Sequence, residues 1–267
     1  MQKKKTILDF QRMKVAGERI AVLTCYDFPT AGILDGCGID MILVGDSVGV
    51  VVAGYDNTLP VTMEDMIYHT RAVLRARPNA LVVADMPFLS YQTDAVAARM
   101  NAGLLIKDGG AAAVKLEGGV NVASTIAAIC DMDIPVMAHI GLTPQSLHRM
   151  GGFRVQGKGE EQAEKLIADA LAVEAAGAFS VVLEGIPMAL AGRITAELAI
   201  PTIGIGAGPL CDGQVLVLHD ILGLCDKYSP KFVKRYADLK PLIADAVSSY
   251  IADVKGGTFP EERHSFK

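Results

Sequence analysis

The chain has 267 residues, 51% hydrophobic and 21% charged, which is enough apolar material for a sizeable core and too little polarity for a disordered chain. A formal net charge of −5 at pH 7 leaves no domain-scale basic surface, which argues against a nucleic-acid partner; the runs Lys3–Lys5 and Lys231–Arg235 read as solvated faces. No uncharged stretch reaches the roughly 18 residues of a bilayer span, the positively charged start lacks the apolar segment of a signal peptide, and five cysteines with no CxxC spacing read as reduced thiols of a cytoplasmic protein.

Residues 6–17 have the pattern of a short amphipathic helix, with Ile7, Leu8, Phe10 and Met13 on one side and Gly17 at its end. Compact apolar runs then recur, each a buried-strand signal: 20–25, 41–45, 80–84, 112–116, 134–140, 179–183, 200–205 and 214–219. Between most of them lie helical stretches. Thr62-Met63-Glu64-Asp65 opens one with a capping residue and acids in the first turn. Asp94 starts another that stops at Gly109-Gly110, and residues 161–176 form a third that stops at Gly177. Two long loops, 47–61 and 145–159, exceed the usual connection length, which favours a functional role. Residues 240–255 read as a final helix, with 256–267 as a surface extension.

Near-continuous apolar strands alternating with helices imply a parallel sheet covered on its outside. Eight such units predict a single (β/α)8 TIM barrel over residues 1–267, preceded by the N-terminal helix in 1–18. An open, doubly wound sheet is the alternative.

In a TIM barrel the chemistry lies at the C-terminal ends of the strands. There the sequence places Asp46, Asp85, Glu117 and Glu184, after the second, third, fourth and sixth runs. Lys115 stands two residues before Glu117, so both side chains share one side of their strand. Any one of these acids could simply cap a helix or pair with a lysine. Four at one rim repel one another unless a cation is shared, and an all-oxygen set favours a hard divalent ion, Mg²⁺ before Zn²⁺. His139, near the end of the fifth run, is either a pocket hydrogen-bonding group or a satisfied core histidine; His219 has a similar place at the eighth. The stretch 152–159 nearly spells a phosphate-binding P-loop, but Gly159 stands where Ser or Thr must hold Mg²⁺. Gly204-Ile-Gly-Ala-Gly208 fits either a phosphate-binding turn or close packing. Ser47 and Cys25 have no base assignable by spacing.

Several motifs in order along the chain carry a resemblance: LVGDS at 43–47, TLPVT at 58–62, ADMPF at 84–88, VKLEGG at 114–119, HIGLTPQ at 139–145, GGFRVQG at 151–157, LEGIP at 183–187, IGIGAG at 203–208 and HSF at 264–266. Together they resemble the ketopantoate hydroxymethyltransferase family, of the phosphoenolpyruvate mutase/isocitrate lyase superfamily. The resemblance implies a barrel that makes 2-dehydropantoate from 3-methyl-2-oxobutanoate, with 5,10-methylenetetrahydrofolate as co-substrate. It implies that Asp46 and Asp85 bind Mg²⁺, that Glu117 coordinates the ion or holds its waters, and that Ser47 and Lys115 hold the oxo acid together with the metal-binding pair. Glu184 is the implied catalytic base, and a homodecamer the implied assembly. Two rivals are another Mg²⁺-dependent enolate lyase or mutase of the superfamily, whose Lys-Lys-Cys-Gly type of loop is missing here, and a barrel used only for binding.

Overall fold

The computed structural model describes residues 3–152, 154–225 and 230–267; Met1, Gln2, Phe153 of the GGFRVQG loop and residues 226–229 lie outside the described residues. The chain divides into two compact units, one ending at Val217 and the other running from Leu218 to Lys267.

In the first unit eight strands follow one another around a closed barrel: β1 (Ile20–Thr24), β2 (Met41–Val44), β3 (Leu81–Asp85), β4 (Ala113–Glu117), β5 (Val136–Gly141), β6 (Ser180–Glu184), β7 (Thr202–Ile205) and β8 (Gly213–Leu216). Every neighbouring pair is parallel, including β1 with β8. The fold is the (β/α)8 barrel, and the open sheet is ruled out by its closure. Helices such as Phe28–Gly36, Met63–Leu74 and Ala95–Lys107 begin where the sequence supplies oxygen acceptors. Thr62 Oγ1 accepts from Asp65 N (3.1 Å) while the Asp65 carboxylate accepts from Thr62 N (3.0 Å). Asp27 and Asp94 accept in the same way from Thr30 N and Ala97 N, both at 2.9 Å.

Alternation along the strands separates two ends of the barrel interior. Ile20, Val22, Met41, Leu43, Leu81, Val83, Ala113, Met137, Val182, Ile203 and Val215 form one buried apolar cluster, joined by Phe10 from the helix Ile7–Ala16. A fully buried Phe contributes about 2–3 kcal/mol of transfer free energy, which ties that N-terminal helix to the barrel. Further along β1, β3, β4, β5 and β6 the same inward face turns polar: Thr24 after Val22, Asp85 after Val83, Lys115 and Glu117 after Ala113, His139 after Met137 and Glu184 after Val182. The apolar floor and the charged mouth are the same set of positions read from bottom to top.

Three expectations change. The second long loop, 145–159, opens with a 3₁₀ turn at Pro144–Ser146 and a helical turn at Leu147–Met150. The loop after β2 contains a helical turn, Val48–Val51, set immediately behind Asp46 and Ser47. The eighth strand ends at Leu216, and Leu218–Ile221 is helical, so His219 does not sit at a strand end. A short apolar run cannot by itself distinguish strand from buried helix, and the run 214–219 straddles that change.

The second unit contains Leu218–Ile221, the helix Leu239–Gly256 and a 3₁₀ turn at Glu262–His264. Among the described residues no helix is long and apolar enough to cross a membrane.

Candidate active site

Lys115 is the centre of the charged mouth. It is 4% exposed, its Nζ lies 3.1 Å from Asp85 Oδ1 and 3.3 Å from His139 Nδ1, and β3–β4 register sets Asp85 directly beside it. Burial alone would lower its pKa, but the carboxylates of Asp85, Glu117 and Asp46 outweigh burial and raise it, so Lys115 is a cation. Asp85 is pushed up to about 6, first by burial and then by the charge of Asp46, against the pull of Lys115. Glu117 is raised well above the usual carboxylate range, again mainly by burial. One lysine is shared by three buried acids, and burial, the largest cause of the upward shifts of Asp85 and Glu117, outweighs the pull of that lysine.

Beyond Lys115 stands a second pair. His139 Nδ1 is 3.6 Å from Glu117 Oε1, and His139 Nε2 is 3.2 Å from Glu184 Oε2. Burial and the nearby Lys115 charge lower the imidazole pKa despite the pull of Glu184, so the ring is neutral. With Lys115 donating to Nδ1, the proton of the neutral ring belongs on Nε2, facing Glu184. That contact is close but poorly aligned, and His139 Nε2 makes no well-formed hydrogen bond. Glu184 is the least buried of the acids, its side chain 13% exposed against 3% for Asp85 and Glu117.

The backbone of β2 reaches the site through glycine. Asp46 N donates to Asp85 Oδ2 (3.0 Å), and a Cβ on Gly45 would stand 3.4 Å from that same oxygen and 2.8 Å from Ser47 Oγ. On the other side Gly141, at φ +94°, lets β5 approach the Glu184 carbonyl more closely than any side chain would allow. Ser47 Oγ is 2.8 Å from Tyr26 OH, which donates to Thr24 Oγ1 at 2.9 Å.

Asp46, Ser47, Asp85, Lys115, Glu117 and Glu184 all lie at this end of the barrel, and His139 stands between the two halves of the site. Three further groups were not singled out in the sequence. Gln145 contacts both Asp46 and Glu117, Tyr91 supports Gln145, and Tyr26 reaches Ser47. An amide or a phenol arriving from a loop leaves no spacing pattern; Gln145 falls within the HIGLTPQ motif, which was the one available hint.

Asp85 Oδ1 has its ion pair with Lys115 but no aligned hydrogen bond. Gln145 engages one oxygen of Asp46 and one of Glu117. Among the described residues no three His, Cys, Asp or Glu side chains converge tightly enough to cage a metal alone. Mg²⁺ has no need of a cage, because it is commonly held by one or two carboxylates with water and substrate completing its shell. Asp46 and Asp85, with Glu117 behind them, fit that partial shell.

A family model described as ketopantoate hydroxymethyltransferase matches residues 4–262. The chain belongs to the ketopantoate hydroxymethyltransferase family. A 3-methyl-2-oxobutanoate hydroxymethyltransferase of Citrifermentans bemidjiense is 83% identical over 267 residues, covering 100% of both chains. One of Geobacter sulfurreducens is 74% identical over 266 residues, again covering both chains completely. Among solved structures, a phosphonopyruvate hydrolase in complex with oxalate and Mg²⁺ superposes with a TM-score of 0.63 at 11% identity, covering 98% of this chain and 91% of that one. A 2,3-dimethylmalate lyase of the phosphoenolpyruvate mutase/isocitrate lyase superfamily gives 0.62 at 18% identity, over 97% and 91%. Those two share the barrel; membership of the hydroxymethyltransferase family, at far higher identity, separates this chain from the lyase and mutase rivals and from a binding-only barrel.

Proposed function

We propose that this chain transfers a hydroxymethyl group from 5,10-methylenetetrahydrofolate to 3-methyl-2-oxobutanoate, giving 2-dehydropantoate for pantothenate and coenzyme A synthesis. The observation that carries the residue assignment is the division of the mouth: a buried cation with three acids on one side, and a less buried Glu184 against a neutral imidazole on the other.

Asp46 and Asp85 would hold Mg²⁺, with Glu117 coordinating it or binding its waters. Bound there, Mg²⁺ would supply Lewis acidity to the oxo acid's carbonyl oxygen. The Ser47 hydroxyl holds the substrate carboxylate. Lys115 places a fixed positive charge where the carbonyl oxygen gains negative charge, in a site dry enough for that charge to count. Glu184 takes the proton from C3, with His139 Nε2 3.2 Å from the same carboxylate. The C3 carbon, now carrying an electron pair, bonds to the one-carbon unit. That unit starts bonded to two folate nitrogens: both C–N bonds break, the C3 carbon and the oxygen of one water take their places, and the C3 proton and one water proton end on the two nitrogens, which releases tetrahydrofolate.

A homodecamer is part of the same proposal. Its support is the helix Leu239–Gly256, which exposes Leu242, Ile243, Val247, Tyr250 and Ile251 within the second unit. The five free cysteines support a cytoplasmic location. The test is formation of 2-dehydropantoate from the two substrates: EDTA should abolish it and added Mg²⁺ restore it. Full turnover in metal-free buffer contradicts the metal assignment, and no product under any condition contradicts the function.

A further inference from the structure

Gln145 follows β5 in the short turn Pro144–Ser146 and is 6% exposed. Its side-chain Nε2 donates to Asp46 Oδ2 (2.9 Å) and to the Met86 carbonyl (3.0 Å). Its Oε1 accepts from Tyr91 OH (2.7 Å) and Gln92 Nε2 (3.0 Å). Both donors and both lone pairs of the amide are therefore used. Rotating the amide by half a turn would set its oxygen against a carboxylate and a carbonyl, so the network fixes its orientation. Its backbone N also donates to Glu117 Oε2 (2.9 Å). One residue thus grips two acids from two different strand ends, by side chain and by main chain.

Tyr91 sets the direction of this network. Its hydroxyl accepts from Glu117 N (3.0 Å) and has two acceptors in reach, the Glu117 carbonyl at 3.1 Å and Gln145 Oε1 at 2.7 Å. It has one proton, and the shorter contact takes it. Donation then runs one way, from Glu117 N through Tyr91 to Gln145 and on to Asp46, each bond polarising the next. The chain delivers a neutral donor to Asp46 without adding a cation that would compete for the same carboxylate.

We propose that Gln145, oriented by Tyr91, is the positioning residue that holds Asp46 and Glu117 as a fixed pair of acceptors for a divalent cation. The inference rests on the cation-assisted reading above and adds the group that builds the cation's seat. Nothing on Gln145 touches the reacting atoms in this account.

Mg²⁺ titration calorimetry on the full chain without substrates tests it, with Gln145→Met (similar size, no donors) and Tyr91→Phe compared at a temperature where circular dichroism shows each folded. The expected result is at least a tenfold weaker Mg²⁺ affinity for Gln145→Met and about threefold for Tyr91→Phe. In turnover, raising Mg²⁺ should restore kcat of Gln145→Met, with KM for the folate unchanged. A variant that melts earlier but binds Mg²⁺ as tightly as the parent marks Gln145 as merely structural and overturns the proposal. If Gln145→Met fails to fold, Tyr91→Phe decides alone: unchanged affinity overturns the proposal. Failure of the unmodified chain to bind Mg²⁺ would instead remove the cation-assisted reading itself, which keeps the two outcomes apart.

Discussion

At the entry end of the strands, Asp212 accepts from Lys14 Nζ (2.8 Å), Thr202 N (2.8 Å) and Thr202 Oγ1 (3.1 Å), while Asp40 takes Ala21 N (2.8 Å) and an ion pair with Lys5. At the exit end, Asp85 has one backbone donor and one unaligned ion pair, and shares Lys115 with two more acids. The same residue types meet at both ends. On the floor each carboxylate has enough local donors, and the ion pairs, about 13–24% exposed, tie helix Ile7–Ala16 and its lead-in to the barrel. At the mouth the acids are more deeply buried and short of donors. A carboxylate that folding leaves under-satisfied costs stability and keeps a lone pair for something else, which is the physical mark of a site rather than a staple.

Lys115→Met should sharpen that contrast most. It leaves buried acids without their cation, a loss of about 3–5 kcal/mol, read as a fall in the urea midpoint of unfolding that is larger at pH 8 than at pH 5, where Asp85 can take up a proton. A midpoint shift as small as that of a floor lysine would erase the distinction.

The pH dependence of Asp85 gives the next effect. Its folded pKa is raised to about 6 from 3.8, with Lys115, Asp46 and Glu117 as the charges around it. A raised acid binds its proton more tightly when folded, so its contribution to stability is complete below pH 3.8 and is lost as pH rises through about 6. The difference in melting temperature between the metal-free parent and Asp85→Asn should therefore shift against the parent across that window. A flat difference would mean that Asp85 is already satisfied.

The smallest effect belongs to the floor. Lys14→Met leaves Asp212 with both Thr202 donors, so the loss should be about 1 kcal/mol with kcat unchanged. A large fall in kcat would mean that the floor is coupled to the chemistry.

Much of this was legible in the sequence because strand and acid are written side by side. The apolar run before Asp46, and those before Asp85, Glu117 and Glu184, fixed both the barrel and the rim. Lys115 was legible because period-two alternation ties it to Glu117. Gln145 and Tyr91 were not, since each reaches the acids across a loop whose path no local pattern encodes. His139 was visible as a candidate; its neutral state and its place between Lys115 and Glu184 needed the register of β4, β5 and β6. The helical turn behind Ser47 was hidden because Val48–Val51 reads equally well as loop or strand.

The central claim is that Glu184 moves the C3 proton while the other acids do not. Proton NMR of 3-methyl-2-oxobutanoate in D₂O with Mg²⁺ and no folate measures that step alone. The parent chain should exchange the C3 hydrogen for deuterium, and Glu184→Gln should slow exchange by about 10²–10⁴-fold while still binding the oxo acid. Exchange at the parent rate in Glu184→Gln would contradict the account.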